Sequence, residues 1–315
     1  MLPEEQNEPI IDERAGRKTS VLAFNPLNTL KLLIVSIRPK QWYKNILLFV
    51  GIVFSANLLN ASMWVTAMMA FAYFCMLSAG EYLLNDILDR ERDKMHPIKA
   101  QRPIASGQLN VKFAFIFAVL LIALALLGAY WTINVKFFAI SALFAVLISL
   151  YSVVLKHILI VDILAISAGF VIRAIAGAWA IDVPVSSWLV ICAFLLALFL
   201  ALEKRWGEIA ILSENAGAHR SNLSEYSPKM LEQLVGIATA ALLVSYLLYT
   251  FEAANRLMLF TAPFAVYGLF RYLYLVHYKG ADAEPEAVFR DKAMLVDVGL
   301  WGLAVISIIL YEIWR

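Results

Sequence analysis

Apolar runs of about 20 residues recur along the chain from Ile46 to Leu310, with short polar stretches between them. Each run is long enough, as a helix, to cross the roughly 30 Å of hydrocarbon in a bilayer. The pattern predicts nine spans, near residues 39–59, 62–84, 112–132, 135–155, 158–181, 187–205, 231–251, 256–277 and 293–313. A transmembrane barrel would instead show short segments that alternate apolar and polar. Leu27–Ile37 is apolar with one lysine and reads as an interfacial stretch ahead of the first span. Residues 1–26 are polar, carry Pro3, Pro9 and Pro26, and lack the apolar run of a signal peptide. They are expected to form a disordered cytoplasmic tail, and residues 27–315 a single transmembrane domain.

Composition agrees with this picture. The 315 residues are 62% hydrophobic and 16% charged, where soluble domains carry roughly 25% charged residues. The fold class is therefore an all-α polytopic membrane protein. Cys75 and Cys192 both lie inside apolar runs, which argues against a disulfide or a thiolate metal site. The net charge of +2 decides little, and no nucleic-acid partner is expected. The distribution of charge decides more. With the N-terminus in the cytoplasm, 22 of the 26 Lys and Arg side chains fall on the inner side. Only Lys136, Arg256 and Arg315 fall outside, and Arg173 lies within a span. The positive-inside rule then fixes the orientation. The long loops are also all inside, so soluble reactants would arrive from the cytoplasm.

The chemistry concentrates at Asn85-Asp86-Ile87-Leu88-Asp89-Arg90-Glu91-Arg92-Asp93, between the second and third spans. On a helix Asn85, Asp89 and Asp93 fall four apart on one face, with Asp86 beside them. Carboxylates at that density repel one another unless a cation sits among them, and hard oxygen ligands suit Mg²⁺ bridged to substrate phosphates. The bland alternative is a solvated connector whose acids pair with Arg90, Arg92 and Lys94. At the mouth of the first span, Arg38-Pro39-Lys40-Gln41-Trp42-Tyr43-Lys44-Asn45 fits substrate phosphates or anionic lipid head groups equally well. Tyr151 and Lys156 end the fourth span, where Lys156 either meets a phosphate or snorkels. Arg173, deep in the fifth span, lines a polar cavity or sits in a structural buried pair. Gly169 and Gly177 would let helices approach closely there. Lys204, Arg205 and Glu208 end the sixth span, as phosphate ligands or as positive-inside anchors. His96, His157, His219 and His277 read as ordinary loop or span-end histidines. Together these residues argue for a phosphate-ester or pyrophosphate transferase acting on a lipid at the inner face.

The pattern Asn85-Asp86-x-x-Asp89-x-x-x-Asp93, with many spans and an inward N-terminus, resembles the UbiA superfamily of intramembrane prenyltransferases. The resemblance covers about residues 30–313. It implies nine helices in a ring around a central cavity that opens to lipid, capped by cytoplasmic loops. Aromatic prenyltransferases of that superfamily carry a second Asp-rich motif in the sixth-to-seventh loop. Here no Asp occurs between Asp182 and Asp282. Arg38-Pro-Lys-Gln-Trp-x-Lys44-Asn45, Asp93-x-x-x-Pro97-x-x-x-x-Arg102-Pro103, Gly169-Phe170-Val171-x-Arg173 and Lys204-Arg205-x-x-Glu208 resemble the decaprenyl-phosphate phosphoribosyltransferase branch instead.

That resemblance implies phosphoribosyl pyrophosphate as donor, a polyprenyl phosphate as acceptor, and Mg²⁺ as cofactor. Asn85, Asp86, Asp89 and Asp93 would hold Mg²⁺ with the pyrophosphate, with Arg102 assisting catalysis. Lys40, Lys44, Asn45, Tyr151, Lys156, Arg173, Lys204, Arg205 and Glu208 would bind substrate. The implied location is the inner membrane of a bacterium, with the active site facing the cytoplasm; a homo-oligomer is compatible with the sequence. The runner-up is transfer of a prenyl group from prenyl pyrophosphate to an aromatic acceptor.

Overall fold

In the computed structural model, which describes residues 26–212, 225–253, 256–278 and 290–314, every regular element is helical. Of the tail expected at residues 1–26, all but Pro26 lies outside the described residues, as does His219. The helices are α1 (Pro26–Ser36), α2 (Val50–Phe54), α3 (Ala61–Leu88), α4 (Arg90–Lys94), α5 (Val111–Thr132), α6 (Val135–Val153) and α7 (Val161–Ala180). They are followed by α8 (Ser187–Leu212), α9 (Pro228–Glu252), α10 (Ala262–Tyr278) and α11 (Lys292–Trp314).

Eight helical stretches among the described residues are long and apolar enough to cross a membrane. Outward-facing apolar side chains, such as Phe115, Ile116, Val119, Leu120, Leu124 and Leu127 on α5, cover their surface. A water-facing surface would not carry apolar area on that scale. Side-chain caps set several starts. Asn60 accepts from the Met63 amide, Asn110 from those of Lys112 and Phe113, and Asn134 from Phe137. Ser227 caps α9 in the same way, with Pro228 at its first position.

Two helices outrun the expected spans. α3 continues to Leu88, so Asn85 and Asp86 stand on its last turns rather than in a loop. α8 continues to Leu212 and carries Lys204, Arg205 and Glu208 with it. The first expected span folds differently: Pro39–Phe49 is a 3-10 helix that passes into the short α2.

α7 is the most enclosed of the eight. One core joins Leu48, Phe74, Phe137, Phe144 and Ile172, and a second joins Phe199, Leu202, Tyr226, Leu231 and Tyr272. The 3-10 helix lies directly on α7. A Cβ on Gly177 would stand 1.9 Å from the Leu48 carbonyl oxygen, and one on Gly51 would stand 2.8 Å from the Ala178 nitrogen. Only glycine permits that contact. Gly169, expected to serve the same purpose, meets its neighbours at ordinary distance, 3.5 Å from Ile148. Its carbonyl instead accepts from Arg173.

Candidate active site

The acidic stretch spans a junction between two helices. α3 ends at Leu88 and α4 begins at Arg90, yet the Asp89 amide donates to Asn85 O and the Asp93 amide to Asp89 O. Helical rhythm therefore runs through the break. At 100° per residue, positions seven apart return almost to the same face and positions eight apart do not. Asp86 accordingly pairs with Asp93: one nitrogen of Arg102 donates to Asp86 at 3.0 Å and to Asp93 at 2.6 Å. Asn85 goes with Asp89: the Lys156 ammonium lies 2.7 and 2.8 Å from the two Asp89 oxygens and 3.5 Å from Asn85 Oδ1. The expected single stripe of Asn85, Asp89 and Asp93 thus divides into two pairs. Glu91, exposed, pairs with Lys94, which holds its carboxyl below the usual range.

Arg38 completes the first pair by donating to Asp86. Its backbone is left-handed, φ 50 and ψ 62, an uncommon conformation for a non-glycine residue, and proline follows it. The Trp42 indole donates to Ile37 O and the Gln41 amide to Arg38 O, which hold the turn. The sequence placed Arg38 in a basic motif without selecting it as a site residue. A strained backbone that delivers a cation to an acid cluster is a recurrent property of functional sites.

The remaining expected residues fall into three groups. Lys40 is exposed, and Lys44 stands over the Tyr43 ring at 5.8 Å. Asn45 and Arg173 are buried together: Arg173 Nε donates to Asn45 at 2.8 Å and Nη1 to Gly169 O at 3.0 Å. The guanidinium also lies over Phe144 and Phe170, so its position is that of a buried structural pair. Arg205, only 2% exposed, donates to Asp162 at 2.9 Å and to Glu208 at 2.6 Å. Tyr151 is near enough to Arg205 to interact with it electrostatically. Lys204 is half-buried on the same turns of α8.

Among the buried acids that sequence reasoning missed are Asp162, Glu203 and Glu81. Asp162 holds Arg205 and accepts from Tyr226 at 2.7 Å. Burial, then that bond to Asp162, pushes the Tyr226 phenol above the usual tyrosine range. Glu203 pairs with His277 at 3.1 Å, and the His277 ring lies tilted against Trp206, centroids 4.1 Å apart. Glu81 accepts from Ser149 at 3.1 and 3.2 Å, one turn before Asn85. The usable signal was an ionisable residue inside an apolar run, the argument already applied to Arg173. His157, expected to be ordinary, lies 3.3 Å from Arg92. His96 accepts from the Ile98 and Lys99 amides.

Among the described residues no three His, Cys, Asp or Glu side chains form a ready metal cage. The donor chemistry nonetheless suits a hard dication. Two carboxylates already converge on one nitrogen of Arg102, and a carboxylate and an amide oxygen converge on Lys156. A cation at either point would meet oxygen donors.

Known proteins share both sequence and fold with this chain. Decaprenyl-phosphate phosphoribosyltransferase of Corynebacterium glutamicum is 32% identical over 292 residues, 89% of this chain and 87% of that protein. The protein of that name from Mycolicibacterium smegmatis is 31% identical, over 88% of this chain and 92% of its own. A solved UbiA homologue from Archaeoglobus fulgidus, bound to DMAPP and Mg²⁺, superposes with a TM-score of 0.69 at 19% identity. That match covers 88% of this chain and 99% of the other, and establishes the fold. The UbiA prenyltransferase family matches residues 45–296, and the chain belongs to that family.

Proposed function

We propose that the protein transfers the 5-phosphoribosyl group of phosphoribosyl pyrophosphate to a polyprenyl phosphate of the decaprenyl type, in a Mg²⁺-dependent reaction. The products are polyprenyl-phosphoryl-5-phosphoribose and pyrophosphate. The observation that carries this reading is the junction where Asp86, Asp89 and Asp93 meet Arg38, Arg102 and Lys156 from separate elements. Such a site suits a polyanion that arrives with a dication. The two relatives named for this activity support it over most of the chain.

The chemistry needs little from a general base. An oxygen of the lipid phosphate, already anionic, forms the new bond to the anomeric carbon. The bond from that carbon to the pyrophosphate oxygen breaks, and pyrophosphate leaves with the electron pair. Attack from the opposite face inverts the anomeric centre. Asp86, Asp89 and Asp93, with Asn85, would hold Mg²⁺, which when bound supplies charge neutralisation to the pyrophosphate. Arg102, once released from its acids, counters the charge that builds on the leaving group. Lys44, Tyr151, Lys156, Lys204 and Arg205 divide the 5-phosphate and the lipid phosphate.

The reading includes a ninth crossing and a cytoplasmic N-terminus, which brings all these residues to the inner face of the plasma membrane. Eleven residues of 3-10 helix and five of α-helix extend about 30 Å at roughly 2.0 and 1.5 Å per residue, close to one hydrocarbon thickness. The charge asymmetry supports that orientation.

Transfer of a prenyl group to an aromatic acceptor is the second reading, favoured by the DMAPP held in the A. fulgidus neighbour. Against it, residues 183–281 contain no Asp, so the second Asp-rich motif of the aromatic prenyltransferases is lacking there. The deciding assay incubates membranes containing the protein with radiolabelled phosphoribosyl pyrophosphate, Mg²⁺ and polyprenyl phosphate. Label in the lipid extract, lost on chelation, is expected. An unlabelled extract from folded protein that consumes prenyl pyrophosphate would establish the second reading.

A further inference from the structure

Three residues separate Lys156, the partner of Asp89, from the Ile160–Asp162 turn that serves Arg205. Ile160 has φ 67 and ψ −41, and the Val161 amide donates to Leu159 O at 2.8 Å. This is the rare γ-turn with positive φ. A β-branched residue there is a steric outlier that persists only where its surroundings hold it. The Tyr226 hydroxyl supplies the hold. It accepts from the Ile160 amide at 2.9 Å and donates to Asp162 Oδ1 at 2.7 Å. The other Asp162 oxygen accepts from Arg205 Nε. Asp162, Arg205 and Tyr226 are 0, 2 and 4% exposed. The hydroxyl therefore ties three separate segments together: the α6–α7 turn, the end of α8, and the residues leading into α9.

Helix docking alone does not call for this arrangement. An apolar residue at 226 would fill the core, and glycine at 160 would make the turn without strain. What strain and phenol together secure is a fixed direction for Arg205 and a fixed offset between it and Lys156. We propose that Tyr226 and Asp162 are positioning residues, which aim Arg205 at the donor's phosphate groups and hold it in register with Lys156 through the braced turn at Ile160. This rests on the phosphoribosyl-transfer reading.

The test uses the full-length protein in lipid nanodiscs. Tyr226→Phe keeps the ring and removes the brace. The expected result is a KM for phosphoribosyl pyrophosphate raised about tenfold with kcat within about twofold, the signature of lost uniform binding. Amide exchange in the peptide containing Ile160 should quicken as well. Ile160→Gly in the Tyr226→Phe background should restore the part of the protection that belongs to the Val161 amide, and part of the KM, a rescue that simple loss of packing would not give. If Tyr226→Phe alone does not fold, the Tyr226→Phe/Ile160→Gly double variant, whose turn needs no brace, should still show part of the KM rise. Unchanged KM and exchange would overturn the proposal, and so would a fall in kcat at constant KM. If the wild type transfers a prenyl group instead, the functional reading fails separately. The positioning role then stands or falls on the KM for prenyl pyrophosphate.

Discussion

At the helix junction and at Asp162, buried acids meet cations, but the cations differ in what else they touch. The side chains of Arg38 and Arg102 are 28 and 26% exposed, against 3 and 6% for Asp86 and Asp93. At the other cluster the Arg205 and Asp162 side chains are 2 and 0% exposed. A half-exposed cation can leave its acid for a phosphate and be solvated on the way. A sealed one keeps its acid, because separating a buried pair leaves an uncompensated charge, and could meet a phosphate only through N–H groups that its acids leave unused. On the proposed function the junction would exchange partners, while the Asp162 cluster would stay as it is. Lys156 with Asp89 lies between these extremes, since there the acid is the more exposed partner, at 20% against 5%.

The largest effect expected from that contrast is on stability. Asp162→Ala should cost about 3–5 kcal/mol, as for other broken buried pairs. Asp93→Ala, whose partner still reaches water, should cost about 1 kcal/mol or less. Thermal unfolding in detergent measures both, and equal losses would break the comparison. Next comes activity. Asp89→Asn should lower turnover by about a hundredfold or more, the scale seen when a group that stabilises developing charge is removed. Its unfolding temperature should stay near wild type. A stable, fully active Asp89→Asn protein would remove that acid from the site.

Gly177→Ala probes a third place, where neither charge cluster is touched. Its methyl group would meet the Leu48 carbonyl, and overpacking of this kind costs about 1–3 kcal/mol. A neutral result would mean that the 3-10 helix can shift away from α7. A smaller effect concerns pH. The Tyr226 phenol is raised above its ordinary value, so its contribution is intact below about pH 10 and declines as pH rises further. Wild-type stability should therefore fall in alkali, and Tyr226→Phe should remove part of that fall. Smallest of all, Glu91→Gln should leave turnover and stability unchanged, because the Glu91–Lys94 pair is exposed on both sides.

Much of this was legible in the chain. Apolar runs placed the long helices within a few residues, since a span must satisfy its own backbone and present apolar side chains to lipid. Asn60, Asn110, Asn134 and Ser227 stand where helices begin because each satisfies amides that the helix leaves open. The acidic stretch was equally plain, because it interrupts the hydrophobic pattern with residues that need a partner. These are local properties, decided within one or two helical turns.

Partner choice was not local. The spacing suggested one stripe through Asn85, Asp89 and Asp93, but Arg102 and Lys156, from two different segments, drew the acids into two pairs. Arg38 is 48 residues from Asp86 in sequence, and Tyr226 is 64 from Asp162. No periodicity carries information over such separations. Nor did the sequence announce that the expected first span would become a 3-10 helix laid on α7, or that the Lys156–Asp162 linker would close as a strained turn. Hydrophobic patterning is set by the solvent around each segment, so the chain alone determined the eight long apolar helices. Which charge meets which depends on how the helices cross, and only the packed structure decided that.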